Sequence, residues 1–310
     1  MARLEIDMAQ IEDLWGGWGR GIEFGVVVYG PFKSPYTMGD PCGSSSGPAI
    51  SVAANMAAVS LGTETDASIL CPSSYNLVVG IKPTVGLTSR AGVIPVSPRQ
   101  DSVGPICRTV ADAVYVLDAI VGIDHYDNAT IEISRYIPKG GYAQFLKADG
   151  LRAKKQGTIL VANLEIANTD EIYSPTSSEG TALATEFKIS INAYLDELVS
   201  SPVRSLADLI YFNKKNSKLE KLEYGQDQFV KAEATSGIGN AEKAALANLA
   251  KLTREGFVEL ITKNKLDAIV TPGVSVSTIL AIGGFPGVIV PAGYDSDVKP
   301  FGLCFGGLKG

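Results

Sequence analysis

Two glycine-punctuated turns carry the residues best suited to chemistry: Gly43-Ser44-Ser45-Ser46-Gly47 and Gly62-Thr63-Glu64-Thr65-Asp66-Ala67-Ser68. The chain holds a single histidine, His125, so a nucleophilic serine here must be activated by something other than imidazole. A serine alcohol attacks a carbonyl only when a neighbouring group takes its proton, and the developing oxyanion needs donors fixed in advance. Thr65-Asp66-Ala67-Ser68 offers consecutive backbone N–H groups that a tight turn aims at one point. The pair of turns therefore points to acyl transfer. Blander readings stand beside it, because Gly/Ser turns also cap helices and cradle phosphates. No Gly-Lys-Ser/Thr follows, which excludes a Walker loop, and Ser68 lacks a Gly-x-Ser-x-Gly elbow. His125, in the polar run Asp124-His125-Tyr126-Asp127, reads as a surface-loop residue.

For the two turns to meet, the chain between them must go out and come back. Ser68 follows Ser44 by 24 residues. Pro48 to Leu61 is almost wholly small or apolar, with Ser46 or Gly47 as cap and Pro48 in the first turn, which predicts a buried helix. About 14 residues of helix run roughly 21 Å, and Ser60-Leu61-Gly62-Thr63 supplies a return strand. Thr109-Val110-Ala111-Asp112 is a capping box opening a helix through Ile120 that Gly122 stops. Helical spacing recurs over Lys188–Leu195 and Ala241–Ile261. Ala268–Val270, Val288–Val290 and Phe301–Phe305 read as short buried strands, and a strand is expected at Ile22–Tyr29 within an otherwise irregular 1–40 segment. Helices alternating with short apolar strands indicate an α/β layered fold. No internal repeat is visible.

Composition bounds the partners. The 310 residues are 45% apolar and 19% charged, with mean hydropathy +0.15, which describes a globular chain able to bury a large core. Apolar runs such as Val26–Val28 and Gly287–Val290 are too short to span a membrane, and residues 1–20 carry no secretory pattern. A net charge of −6 and pI near 5.0 argue against nucleic-acid binding; Arg152-Ala153-Lys154-Lys155 reads as a solvated turn. The four cysteines, Cys42, Cys71, Cys107 and Cys304, match neither a metal site nor a disulfide scaffold. They are expected to be reduced, packed thiols in a cytoplasmic protein, with Cys42 and Cys71 close to the serine turns.

The ordered runs Pro41-Cys42-Gly43-Ser44-Ser45-Ser46-Gly47, Gly62–Ile69, Val79-Gly80-Ile81-Lys82-Pro83-Thr84, Asp101-Ser102-Val103-Gly104-Pro105 and Arg108-Thr109-Val110-Ala111-Asp112 resemble the amidase signature family, in particular its plant and fungal amidases. The likeness covers about residues 35–125 and resumes over 266–307, through Pro286-Gly287-Val288-Ile289-Val290-Pro291-Ala292-Gly293. It implies an α/β fold with a mixed central sheet covered by helices on both faces, as one domain over 41–310 after the irregular 1–40. It also implies a Ser–cis-Ser–Lys triad, with Ser68 as acyl nucleophile, Ser44 as bridging serine on a cis peptide after Gly43, and the backbone N–H groups of Thr65, Asp66, Ala67 and Ser68 as oxyanion hole. The implied activity is hydrolysis of a small-molecule carboxamide with no cofactor and no metal.

Several features depart from that pattern. The family's base lysine lies farther upstream of Ser44 than this sequence reaches; Lys33 matches no family base, and Lys82 belongs to a separate motif read as structural. Ala67 stands where glycine is usual and Leu70 where many members have arginine. The 150–165 stretch passes too abruptly from Lys154-Lys155 to Thr158–Val161, as after an internal deletion. A shortened member with impaired turnover is therefore expected, alongside two alternatives: a catalytically silent amide-binding relative, and an amidotransferase-type subunit passing ammonia to a partner. An uncovered apolar patch near the 48–61 helix makes a homodimer or low solubility the expectation.

Overall fold

The computed structural model describes residues 26–27, 30–31, 33–147, 159–217, 220 and 225–309. Most of the expected Ile22–Tyr29 strand and the Arg152–Lys155 patch lie outside those residues. Strands β1 (Val26–Val27) and β2 (Gly30–Pro31) form a small antiparallel pair. The centre is a six-stranded sheet of β3 (Val59–Glu64), β4 (Val79–Lys82), β5 (Ser102–Cys107), β6 (Ile269–Pro272), β7 (Gly287–Tyr294) and β8 (Pro300–Gly306), in the order β3-β5-β4-β7-β8-β6.

Every pairing described in this sheet is antiparallel, where the resemblance implied a mixed sheet. The reason is an interleaving. From β3 the chain passes through α2 (Leu70–Tyr75) to β4, leaving a gap that β5 later fills in the opposite direction. From β6 it passes through α11 (Ser277–Gly283) to β7, and β8 fills that gap in the same way. The two halves mirror one another about the central β4–β7 seam, although their sequences show no repeat.

Alternation along the strands buries both faces. Val79 and Ile81 of β4 and Val288 and Val290 of β7 pack with Cys107, Ala113 and Leu117 beneath α3 (Val110–Ile120). On the opposite face Ile289 and Cys304 pack with Leu70, Ile279 and Leu280. Helix α3 opens as expected, with the Thr109 hydroxyl accepting from the Asp112 N–H at 3.1 Å. Two short helices follow, α4 (Ala129–Ile133) and α5 (Thr169–Ile172); outside these layers, α6 (Ser178–Glu197), α7 (Leu206–Lys215) and α8 (Asp227–Glu233) pack through Phe187, Ile191, Leu206, Leu209 and Phe229. Helix α9 (Asn240–Thr253) runs through a π turn into α10 (Glu259–Asn264). No helix among the described residues is long and apolar enough to cross a membrane.

Two expectations about local structure need correcting. The helix predicted from Pro48 to Leu61 is shorter: α1 spans Ser46–Ala53, Asn55 turns left-handed at φ 60°, and β3 starts at Val59. Its small residues satisfy a helix pattern without enforcing one. Val59 and Leu61 face outward from β3 at the sheet edge, and Met56 is 79% exposed. Strand β6 is also an edge strand, alternating half-buried and exposed residues instead of being buried throughout.

Candidate active site

Sequence puts Ser44 and Ser68 on turns at the start of α1 and α2; the fold brings those turns together. The Gly43–Ser44 peptide is cis, as the resemblance implied. The next residue makes the junction: the Ser45 N–H donates to the Ser68 carbonyl at 3.1 Å. The Ser45 hydroxyl donates to the Thr63 carbonyl and accepts from the Thr63 N–H, both at 3.1 Å, so it pairs with the return strand as a backbone amide would. Gly62 makes this approach possible, because a Cβ there would lie 2.8 Å from the Ser45 Oγ.

The Thr65–Ser68 turn is gripped from both ends by carboxylates. Glu64 closes β3, and its Oε2 accepts from the N–H groups of Ile69 at 2.7 Å and Leu70 at 2.9 Å, the orphan donors where α2 begins. Burial pushes the Glu64 carboxyl up, opposed by the Lys82 ammonium and by the N–H groups of Leu70, Ile69 and Ala67. On the other side Asp101 Oδ1 accepts from the Thr65 hydroxyl at 2.6 Å, while Oδ2 accepts from the N–H groups of Val96 and Ser97, both at 2.8 Å. Burial raises Asp101 to about 6 against these bonds. Gln100 donates to the Thr65 carbonyl at 3.3 Å and to Glu179 at 2.7 Å, and Thr278 donates to Asp66 Oδ2 at 2.8 Å. Desolvation lifts Asp66 to about 7, with the Glu64 charge adding to the rise.

Within this frame Ser68 is nearly buried, and its hydroxyl donates to the Asp66 carbonyl at 3.3 Å. Ser44 is half-buried. The turns are joined through backbone, but among the described residues no hydrogen bond links the Ser44 and Ser68 hydroxyls. The N–H groups of Asp66 and Ser68 likewise donate to no acceptor among the described residues. Ala67 sits at φ 63°, the left-handed region that favours glycine. Lys82 is fully buried on β4, donating to the Phe285 carbonyl at 2.7 Å and the Pro83 carbonyl at 3.4 Å; burial lowers it to about 8. His125 is exposed, as expected.

The cysteines are the clearest correction. Cys42 and Cys71 are joined by a disulfide, and only Cys107 and Cys304 are free and buried. A separation of 29 residues gave no scaffold spacing. Yet Cys42 lies two residues before Ser44 and Cys71 three after Ser68, so any fold that joins the serines also joins the cysteines. That was the available signal. Glu64, Gln100 and Asp101 were also passed over, although Glu64 and Asp101 stand inside the motif runs.

Comparison with known proteins places this arrangement. The sequence model of the Amidase family matches residues 23–281. The chain belongs to the amidase family. It is 56% identical over 300 residues to a probable amidase of Arabidopsis thaliana, covering 89% of this chain and 59% of the relative. Its fold matches the X-ray structure of peptide amidase from Stenotrophomonas maltophilia at 37% identity and a TM-score of 0.77, covering 90% of this chain and 64% of that one. An amidase family protein from Bacillus anthracis matches at 29% identity and a TM-score of 0.81, with 90% and 60% covered. This amidase-family chain thus spans about three fifths of the length of these relatives.

Proposed function

We propose that the chain carries the acyl-transfer centre of an amide hydrolase, with Ser68 as nucleophile and Ser44 as the bridging hydroxyl. Ser68 Oγ adds to the carboxamide carbon and gives its proton to Ser44, which passes one to the neutral side chain of a base lysine, the third member of the triad that the resemblance implies. The C–N bond then breaks, and the leaving ammonia or amine takes that proton back from the lysine. Water adds to the acyl carbon and releases the acid, returning the proton to Ser68. The oxyanion forms at the Thr65–Ser68 turn, with the N–H groups of Asp66 and Ser68 as principal donors and those of Thr65 and Ala67 flanking them.

The observation that carries this reading is the Ser45 N–H to Ser68 carbonyl bond, which holds the two serine turns in register. Lys82 is committed to two carbonyls, so with that lysine as the only base both acylation and hydrolysis are expected to be slow, acylation by a reactive phosphonate being the easier of the two to detect. A fluorophosphonate probe followed by peptide mapping tests this: the adduct is expected on Ser68 and absent from Ser68→Ala. Modification elsewhere, or at an equal rate in the variant, refutes it. The Ser68 hydroxyl's bond to the Asp66 carbonyl favours a second reading, an amide-binding protein without turnover, which predicts saturable binding of an aryl amide with no adduct on Ser68.

A further inference from the structure

The disulfide stands between the two serine turns. Cys42 immediately precedes Gly43-Ser44, and Cys71 is the second residue of α2, three after Ser68. The closed ring therefore contains the bridging serine, α1, β3, the oxyanion turn and the nucleophile, and little else. Two non-covalent ties run beside it. On one side the Ser45 N–H meets the Ser68 carbonyl at 3.1 Å. On the other, the fully buried Asn76 amide donates to the carbonyls of Pro41 and Pro72, both at 2.8 Å, clamping the residues that neighbour each cysteine. The covalent bond thus links the Ser44 and Ser68 turns directly, with hydrogen bonds between the same two segments on either side of it.

Resting on the acyl-serine reading, we propose that Cys42 and Cys71 are positioning residues of the reaction, which a dithiol reductant slows and an oxidant restores. The reductant's thiolate attacks Cys42 Sγ, because Cys42 is half-buried whereas Cys71 is 6% exposed. The S–S bond breaks and Cys71 leaves as a thiolate that takes a proton. The reductant's second thiol then displaces Cys42, which is protonated in turn. Two electrons and two protons pass to the protein, and the dithiol becomes a cyclic disulfide.

The test uses the full 310-residue chain purified without reductant. Thiol titration in denaturant is expected to find two free thiols, those of Cys107 and Cys304; four would overturn the proposal. Fluorophosphonate labelling of Ser68 is expected to slow roughly 10- to 100-fold after dithiol treatment, the scale of a misplaced reacting group. It should recover on reoxidation while the thermal transition persists; equal rates in both states would overturn the proposal. The double variant Cys42→Ser/Cys71→Ser is expected to label slowly and ignore dithiol, and a retained dithiol response would also refute it. If the oxidised chain fails to label at Ser68, the nucleophile assignment falls, and amide exchange decides the positioning role alone. Exchange at the Ser45 N–H is expected to quicken at least about tenfold on reduction as its bond to Ser68 loosens, and an unchanged rate is the negative result.

Discussion

Removing the Glu64 carboxylate tests the scaffold of the Ser68 turn directly. Glu64 is 1% exposed and accepts two backbone N–H groups, from Ile69 and Leu70, through a single oxygen. Glu64→Ala strands both donors in a buried site at about 1–3 kcal/mol each. Against this stands the relief of no longer burying a carboxyl that desolvation already pushes up. Its second oxygen, Oε1, has no hydrogen-bond partner, so that relief is real but partial. The net expectation is a loss of about 3 kcal/mol. Glu64→Gln keeps an oxygen for both N–H groups and removes the charge, so about 1 kcal/mol is expected. Urea unfolding measures both, as a shift in midpoint at constant slope. A loss below about 0.5 kcal/mol for the alanine variant, or equal losses for the two, would refute the claim that this carboxylate anchors the turn.

Titration gives a second expectation. Asp66 and Asp101 are raised from 3.8 to about 7 and about 6, so between pH 4 and 7 the folded chain binds more protons than the unfolded one. Stability is then fully present below the unfolded values and falls as pH rises through this window; the melting temperature should drop from pH 4.5 to 7.5, and a monotonic rise would contradict the burial of these carboxyls. Ala67→Gly should stabilise the chain by about 1 kcal/mol, because the left-handed conformation at φ 63° penalises a Cβ; a destabilised variant in urea would count against that geometry. Gly104→Ala should cost at least about 2 kcal/mol by overpacking, since its Cβ would fall 1.9 Å from the Ile81 carbonyl oxygen on the neighbouring strand. A melting temperature equal to the parent's would show that β4 and β5 are not so close.

How much of this was legible depended on range. Local chemistry read well: the Thr109 cap and the strands near 269, 288 and 301 depend on neighbours a few residues away. The serine turns were found because their motifs come as an ordered series. The end of α1 was misplaced because Ala53, Ala54, Ala57 and Ala58 suit either a helix or a loop, and the left-handed Asn55 decides between them. The interleaved sheet was not legible, since a β–α–β run fixes two parallel strands but not whether a later strand slides between them. The Cys42–Cys71 bond is the instructive miss. Pairing residues 29 apart looked arbitrary by spacing, yet it followed from the serine geometry already expected.

The mirrored sheet sets an order of assembly. Strands β3, β4 and β5 lie within residues 59–107, so the serine-bearing half can pair β5 with β3 and β4 while the chain is still being synthesised. The other edge of β4 waits for β7, and the Lys82 ammonium waits for the Phe285 carbonyl, 203 residues later. Contacts so distant in sequence are rewarded only after the intervening chain has closed. Until then Val79-Gly80-Ile81 presents an open, apolar ribbon of unpaired amides, the kind of edge on which nascent chains cross-pair. Slowing arrival of residues 287–306 should therefore cost this protein yield through aggregation well before it costs the folded state any stability.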